Sequence, residues 1–315
     1  MRQRELAMKI TVMGPGGVGG YFGARLAAAD NDVTFVARGA HLAAMRQNGL
    51  RLDSEIGDLS LRPVKLAANA SEISTADVVI FAVKLADTES AAEQLRGLVG
   101  KGATVFTFQN GVESAERIGK VLGPRNVVAG AARINAQIAE PGVIRQAGKF
   151  AILEFGEADD KPSLRTSAFL RTCQQAGIAA TLSDSVSRTL WMKFAMLAPV
   201  AGVTALTRGP IGPVMANAAS RQLLEAAVRE TVAVGIAQGA RLEPADADNV
   251  IKAIDGLPPA MMASMCHDLL AGKPLEIAGL SGAVVRLGAG REVPVPTHTF
   301  ITQALSLFAD GKPRL

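Results

Sequence analysis

The chain has 315 residues, of which 49% are hydrophobic and 20% charged, and this is enough apolar sequence for two hydrophobic cores of ordinary size. The formal net charge is only +4, and no Lys/Arg run or basic stripe with interleaved aromatic residues occurs, which disfavours nucleic acid as a partner. The two cysteines, Cys173 and Cys266, show no pairing pattern and therefore indicate a reducing, cytoplasmic location.

The first seven residues precede a second methionine, so the natural start is either Met1 or Met8. They lack the apolar core of a signal peptide, and we find no uninterrupted apolar stretch long enough to span a bilayer. We therefore expect a soluble protein without a membrane partner.

A short apolar strand, Lys9 to Met13, leads directly into three glycines at GxGxxG spacing. In dinucleotide-binding folds such glycines allow a tight turn, close approach of the backbone to a pyrophosphate, and close packing of the next helix on the sheet. A helix over Tyr21 to Ala29 would direct its first N–H groups at the phosphates. The predicted cofactor-binding loop consists of Gly14, Gly16, Gly17, Val18 and Gly19.

The second strand, Val33 to Ala37, ends in Arg38. Proteins that bind NAD usually carry an acid at this position, because it accepts a hydrogen bond from the ribose 2'-OH. A guanidinium instead pairs with a 2'-phosphate, so Arg38 favours NADP(H), unless it is an ordinary exposed arginine. His41 lies nearby and either assists this site or is a solvated loop histidine.

Apolar, β-branched runs continue through the first half, separated by helix-like segments. They are Asp77 to Val83, Thr104 to Phe108, Val127 to Gly130 and Ala151 to Phe155. This alternation predicts an α/β fold with a Rossmann-type, doubly wound parallel sheet.

Long helical patterns replace the strands beyond about Asp184, which predicts an all-helical C-terminal domain. The first expected helix contains Val186 to Pro199, and the others are about Asn217 to Gln238, Ala245 to Ile254, Pro259 to Ala271, Glu276 to Leu287 and Thr297 to Phe308. We therefore predict an NADP-binding domain over residues 1–184 and a helical substrate and catalytic domain over residues 185–315.

Several short motifs follow one another in an order and spacing that resemble the ketopantoate reductase (2-dehydropantoate 2-reductase) family over nearly the whole chain. In the first half they are the GxGxxG at Gly14, ARGAHLAAMRQNGL with Arg38, Lys84 after the third strand, QNG at Gln109 to Gly111, and AEPG at Ala139 to Gly142. In the second half they are WMK with Lys193, TAL at Thr204 to Leu206, and Ser264 twelve residues before Glu276.

The resemblance implies NADPH-dependent reduction of 2-dehydropantoate to pantoate in pantothenate biosynthesis. It implies that Lys193 donates the proton to the oxygen that gains electron density, with Glu276 as a second catalytic residue. Asn110 and Ser264 would bind the substrate. Further cofactor contacts would come from Lys84, Asn110, Ala136 and Glu276. A homodimer through the helical half is a separate expectation, which no clear surface patch in the sequence supports.

Each of these residues also has a structural interpretation. Lys193 is otherwise a helix-surface lysine, Lys84 a loop lysine and Asn110 a turn residue before a glycine. Ser264 is otherwise a capping serine, and Glu276 a glutamate in the first turn of a helix.

No metal site is expected. Cys266, His267 and Asp268 are adjacent, but consecutive helical residues point about 100° apart, so the three cannot face one ion.

Three positions depart from the family pattern. Leu197, Ala201 and Met261 stand where the family commonly carries asparagines that contact the substrate. Each lost amide hydrogen bond typically costs about 1 kcal/mol, so the pocket is less suited to polar pantoate. Reduction of 2-dehydropantoate therefore has three alternatives. They are a reductase of a less polar 2-keto acid, a related two-domain dehydrogenase of hydroxyacids or opines, and a non-catalytic NADP(H)-binding regulator.

Overall fold

The computed structural model describes residues 7–313, and contacts divide this part of the chain into two compact units. The first unit runs to Gln109 and continues over Glu113–Val186, and the second comprises Asn110–Val112 and Ser187–Leu315. Whether the chain starts at Met1 or Met8 stays a prediction, because residues 1–6 lie outside the described residues. The assignment of cofactor and substrate roles to residues 1–184 and 185–315 stays a prediction.

One sheet organises the first unit. Within residues 7–313 its ten strands are β1 Lys9–Met13, β2 Asp32–Val36, β3 Leu50–Ser54, β4 Leu59–Leu61, β5 Lys65–Ala67, β6 Val78–Phe81, β7 Thr104–Thr107, β8 Val127–Glu140, β9 Val143–Gly156 and β10 Ala179–Leu182. The order is β4-β3-β9-β8-β7-β6-β1-β2-β5, with β10 paired to β9. Strands β8, β7, β6, β1, β2 and β5 run parallel. The predicted parallel, doubly wound sheet is confirmed.

Helices flank this sheet and build the second unit. Those of the first unit are α1 Gly17–Ala28, α2 Gly39–Asn48, α3 Thr88–Glu93, α4 Arg96–Val99, α5 Ser114–Leu122 and α6 Leu164–Gln175. The second unit contains α7 Val186–Thr207, α8 Ile211–Ala216, α9 Ala218–Ala237, α10 Asp246–Asp255, α11 Ser264–Leu270, α12 Ser281–Ala289 and α13 Pro296–Leu305. The predicted helical second half is confirmed.

The central strands are apolar on both sides because both faces of the sheet are covered. In β6, Val78 and Ile80 belong to one core cluster, whereas Val79 and Phe81 belong to the cluster on the other side. Each of these side chains is at most 4% exposed, and burying one contributes about 2 kcal/mol. The continuous run of apolar residues in β6 is therefore what a parallel strand covered on both faces requires.

The hairpin of β8 and β9 is much longer than the sequence pattern predicts. Each strand has 14 residues, and the register jumps between Ile134↔Ala151 and Asn135↔Ala147. The jump leaves residues 148–150 as a bulge beginning at Gly148, which has a φ of +85°. Gln146 closes the bulge, because its side-chain amide donates to the carbonyls of residues 147 and 148.

Two helix predictions in the second unit are wrong in their bounds. The helix expected over Pro259 to Ala271 begins only at Ser264, because the carbonyls of Pro259 and Met261 accept hydrogen bonds from the first N–H groups of α8. The helix expected over Glu276 to Leu287 is divided at Leu280 into a short 3-10 turn and α12. Helix α8 and strands β3, β4, β5 and β10 were not predicted.

Helix α7 is long and apolar enough to cross a membrane by length and composition alone, in contrast to the expectation from sequence. However, 67% of its most apolar window is buried inside the protein. Phe194, Ala195, Ala198 and Val203 on this helix belong to the main core of the second unit. Its hydrophobicity is that of a core helix.

Candidate active site

The predicted site residues fall into two sets. Gly14, Gly16, Gly17, Val18, Gly19, Arg38, Lys84 and Ala136 belong to the first unit, and Asn110, Lys193, Ser264 and Glu276 belong to the second.

The glycine loop between β1 and α1 has a left-handed backbone at one glycine, is tightly packed at a second and is open at a third. Gly14 has a φ of +90°, where side chains are strained, and a Cβ on Gly19 would lie 2.4 Å from the Gly14 carbonyl oxygen. A Cβ on Gly16, in contrast, would meet nothing within 4 Å. Since the first N–H groups of α1 have no intrahelical acceptor, the open space at Gly16 lies at a natural anion site. These residues fit a dinucleotide.

A glycine is required at residue 17 because the backbone of another strand packs against it. A Cβ at this residue would lie 2.1 Å from the carbonyl oxygen of Ala136 on β8. The backbone of the β8–β9 hairpin thus rests directly on the first turn of α1, and this contact brings Ala136 to the loop where the resemblance expects it.

His41 on α2 is half-buried and connects the glycine loop to the end of the same hairpin. Its Nε2 lies 2.9 Å from the carbonyl oxygen of Pro15, and its Nδ1 lies 3.0 Å from the backbone nitrogen of Gly142. It is therefore neither a loop residue nor a solvated histidine. The sequence did not predict these contacts. Its one hint is that His41 and Gly142 both lie within motifs that resemble the family.

Arg38 lies immediately before α2, and its side chain is 83% exposed. Its guanidinium donates a hydrogen bond to the carboxylate of Asp87, which precedes α3. Lys84 is exposed and precedes the 3-10 turn that contains Asp87. A carboxylate beside Arg38 was not anticipated from the sequence.

In the second unit, Lys193 and Asn110 are brought together. The Lys193 Nζ donates to the Asn110 Oδ1 over 3.0 Å in a partly buried environment. The preceding Gln109 is 6% exposed, and its amide donates to the Val83 carbonyl and the Thr88 hydroxyl of the first unit. Lys193 thus has a specific polar partner and is not a solvated surface lysine.

Ser264 and Glu276 lie on either side of a short connection that is held by the end of the chain. Ser264 is the first residue of α11, and Glu276 precedes the 3-10 turn Ile277–Gly279. Gly272, with a φ of +66°, accepts a hydrogen bond from the backbone of Lys312. Ser264 is not a helix cap, because that position is occupied by Ala263.

The three apolar departures differ in their exposure. Ala201 is 1% exposed and belongs to the core, whereas Leu197 and Met261 are only partly buried. Residues four apart on a helix share one face, so Leu197 lies on the same face of α7 as Lys193. Leu197 and Met261 are therefore the two departures whose side chains are partly exposed.

Within residues 7–313, no group of three or more His, Cys, Asp or Glu side chains could hold a metal ion. Cys266 is buried, and its thiol contacts the Met262 sulfur, whereas the adjacent His267 is exposed.

Comparison with known proteins identifies the family. The model for "Ketopantoate reductase PanE/ApbA" matches residues 10–160, and the model for its C-terminal domain matches residues 185–309. A 2-dehydropantoate 2-reductase from Mesorhizobium japonicum is 32% identical, over 92% of this chain and 94% of that protein. The chain belongs to the ketopantoate reductase family.

Solved structures agree with this conclusion. A ketopantoate reductase of the PanE/ApbA family from Ralstonia eutropha has a TM-score of 0.88 and 30% identity, with 96% of this chain and 98% of that chain covered. A D-mandelate dehydrogenase, solved with NADH and anilino(oxo)acetate, also has a TM-score of 0.88 and the same coverage. Its 20% identity shows a shared fold only.

Family membership makes this chain an oxidoreductase with a nicotinamide cofactor. The reaction for which the family is named, the reduction of 2-dehydropantoate, belongs to pantothenate biosynthesis.

Replacing adjacent glycines should separate folding from cofactor binding. We expect Gly17→Ala to lower the free energy of unfolding by about 2 kcal/mol or more, because the Ala136 carbonyl must move. Gly16→Ala should leave stability within about 0.5 kcal/mol of wild type but weaken cofactor binding, because its methyl group enters open space that the phosphates need. Urea unfolding and fluorescence titration with NADPH measure the two effects. Equal stability of both variants would contradict the tight contact at Gly17.

Acid should destabilise the protein partly through His41. Burial lowers the pKa of His41 below its ordinary value of 6.5, against a smaller opposing effect of the hydrogen bond to Pro15. The unfolded chain therefore takes up this proton first as the pH falls. The contribution of His41 is complete above about pH 6.5 and is lost as the pH falls towards the lower folded-state pKa.

Thermal unfolding of wild type and His41→Gln at about pH 7.5 and 5.5 checks this, and we expect wild type to lose more stability on acidification. His298, whose pKa is also lowered by burial, is common to both proteins and cancels in the comparison. An identical loss in the variant would show that His41 does not contribute.

Proposed function

We propose that this chain catalyses the NADPH-dependent reduction of 2-dehydropantoate to pantoate, with Lys193 as the proton donor. The hydrogen bond from Lys193 to Asn110 is the observation that carries this proposal. This bond fixes the position of a partly buried ammonium group, whereas a surface lysine would be solvated and mobile. A fixed ammonium group suits a proton donor in a member of a reductase family.

The proposed chemistry divides between cofactor and protein. When bound, the nicotinamide supplies a hydride to the keto carbon. Lys193 transfers a proton from Nζ to the carbonyl oxygen, which becomes the hydroxyl of the product. Asn110 Oδ1 accepts one N–H of the ammonium group and so restricts the direction of the others. Ser264 donates to the substrate carboxylate, and Glu276 accepts from a substrate hydroxyl or the nicotinamide amide.

The preference for NADPH follows from Arg38. Arg38 lies two residues beyond β2, and its exposed guanidinium already donates a hydrogen bond to one anionic group, the carboxylate of Asp87. A 2'-phosphate carries more charge than a carboxylate and accepts a guanidinium fork, so it would compete for Arg38. Lys84 adds a second exposed cation in the same unit.

A less polar 2-keto acid is the second candidate substrate. Leu197 and Met261 favour it, because both are partly exposed apolar side chains in the second unit, and Leu197 shares a helix face with Lys193. The fold is also that of a D-mandelate dehydrogenase, an enzyme named for a 2-hydroxy acid with an apolar side chain.

We also propose a cytoplasmic location, which the two free cysteines favour. Both thiols are buried, and burial raises the pKa of Cys173 to about 12, so it is unreactive. A homodimer stays a prediction.

The decisive experiment compares substrates with and without Lys193. NADPH oxidation is measured with 2-dehydropantoate, with 2-oxoisovalerate, which lacks its hydroxymethyl group, and with phenylglyoxylate. We expect Lys193→Ala to lower kcat by about 100-fold or more, and Lys252→Ala, on the exposed surface of α10, to change nothing.

The outcomes distinguish the candidates. Lysine-dependent turnover of 2-dehydropantoate with kcat/KM above about 10⁴ M⁻¹s⁻¹ supports the proposal. Preference for one of the apolar acids favours the second candidate. Turnover of Lys193→Ala within about threefold of wild type removes the lysine from the mechanism. Cofactor binding without turnover of any acid would indicate a regulator.

Arg38→Gln should change cofactor preference. We expect its KM for NADPH to rise by about tenfold, with the KM for NADH within about twofold of wild type, because only the former loses a charge-assisted contact. Arg46→Gln, an exposed arginine on the following helix α2, is the matched control. Equal changes for both cofactors would mean that Arg38 does not read the 2'-phosphate.

A further inference from the structure

We propose that His41 is a positioning residue that holds the glycine loop in its cofactor-binding shape by tying it to the β8–β9 turn. The proposal rests on the binding of a nicotinamide dinucleotide and is independent of the substrate. His41 touches the loop at Pro15 and the turn at Gly142, with both contacts inside the first unit.

The two contacts determine which ring nitrogen carries the proton. The Gly142 backbone N–H can only donate, so Nδ1 must accept with its lone pair. The proton then lies on Nε2, which donates to the Pro15 carbonyl. A neutral imidazole satisfies both partners at once, and few other side chains combine a donor and an acceptor at this spacing.

The loop needs such a restraint because of its composition. Pro15 lies between Gly14 and Gly16, and glycine loses more conformational freedom on ordering than any other residue. Three backbone hydrogen bonds also hold the loop, from Gly14 to Val36, from Gly16 to Gly14 and from Gly20 to Gly16, and none of them involves Pro15. Fixing the Pro15 carbonyl before the cofactor arrives removes part of the entropy cost of binding.

The other end of the connection is firmly anchored. Gly142 has a φ of +84°, its carbonyl accepts from the backbone of Arg51 on β3, and a Cβ at this residue would approach Ala44 on α2 to 3.3 Å. The hairpin also contacts the loop at Gly17 through Ala136. His41 therefore adds a second, polar attachment to an existing backbone contact.

The test compares three variants by NADPH and NADH titration and by steady-state kinetics. His41→Leu removes both hydrogen bonds, whereas His41→Gln retains an amide donor and acceptor. Gln47→Leu, exposed on the same helix, is the matched control for introducing leucine. We expect His41→Leu to raise the cofactor Kd and KM about tenfold, with kcat within about twofold and the KM for the keto acid unchanged.

His41→Gln should restore the Kd to within about threefold of wild type, and Gln47→Leu should bind like wild type. Hydrogen exchange of the peptides covering residues 14–20 and 138–146 should be faster in His41→Leu alone. An unchanged Kd in His41→Leu, or equal loss in the Leu and Gln variants when both fold, would overturn the proposal.

Should His41→Leu fail to fold, His41→Asn replaces it. The shorter amide keeps the Gly142 contact but falls short of Pro15, so unweakened cofactor binding by this variant would equally reject the proposal. Failure of wild type to bind either cofactor would instead reject the proposed function.

Discussion

The contact of the Ala136 carbonyl with Gly17 is the constraint on which the first unit depends. It requires a residue without a side chain at the start of α1, and it requires β8 to extend far beyond the central sheet. The partner of this long strand is β9, whose pairing with β8 shifts register at the bulge of residues 148–150 and again between Ile138 and Glu140. The glycine loop of six residues is therefore supported by a hairpin more than a hundred residues away in sequence.

The lysine proposed as the proton donor lies on a long, apolar helix of the second unit. Lys193 occupies a partly buried position of α7, among residues that form the core of the unit. Partial burial of a lysine ammonium group costs free energy unless the group is hydrogen-bonded, and Asn110 accepts such a bond from Lys193. Asn110 directly follows Gln109, whose side-chain amide donates to the Val83 carbonyl just beyond β6 and to the Thr88 hydroxyl at the start of α3. Two neighbouring amides in one short motif thus have different partners, Lys193 for Asn110 and both Val83 and Thr88 for Gln109.

The sequence predicted those features that depend on local chemistry. Strand β1 was predicted with its observed bounds, and Gly239, with a φ of +82°, ends the region of α9 as expected. The features that failed depend on distant partners. Met261 looked helical, but its carbonyl serves α8, and the bulge in β9 follows from its pairing with β8. Likewise, nothing in its neighbourhood shows that His41 bonds to residue 142.

The connection between Ser264 and Glu276 is secured from outside by the chain's last described segment. Leu275 donates to the carbonyl of Ala309, and Lys312 donates to that of Gly272. The C-terminal segment consequently behaves as a brace for the loop that carries Glu276. In practical handling of the protein, shortening the chain before Ala309 would remove both hydrogen bonds and with them the support of this loop.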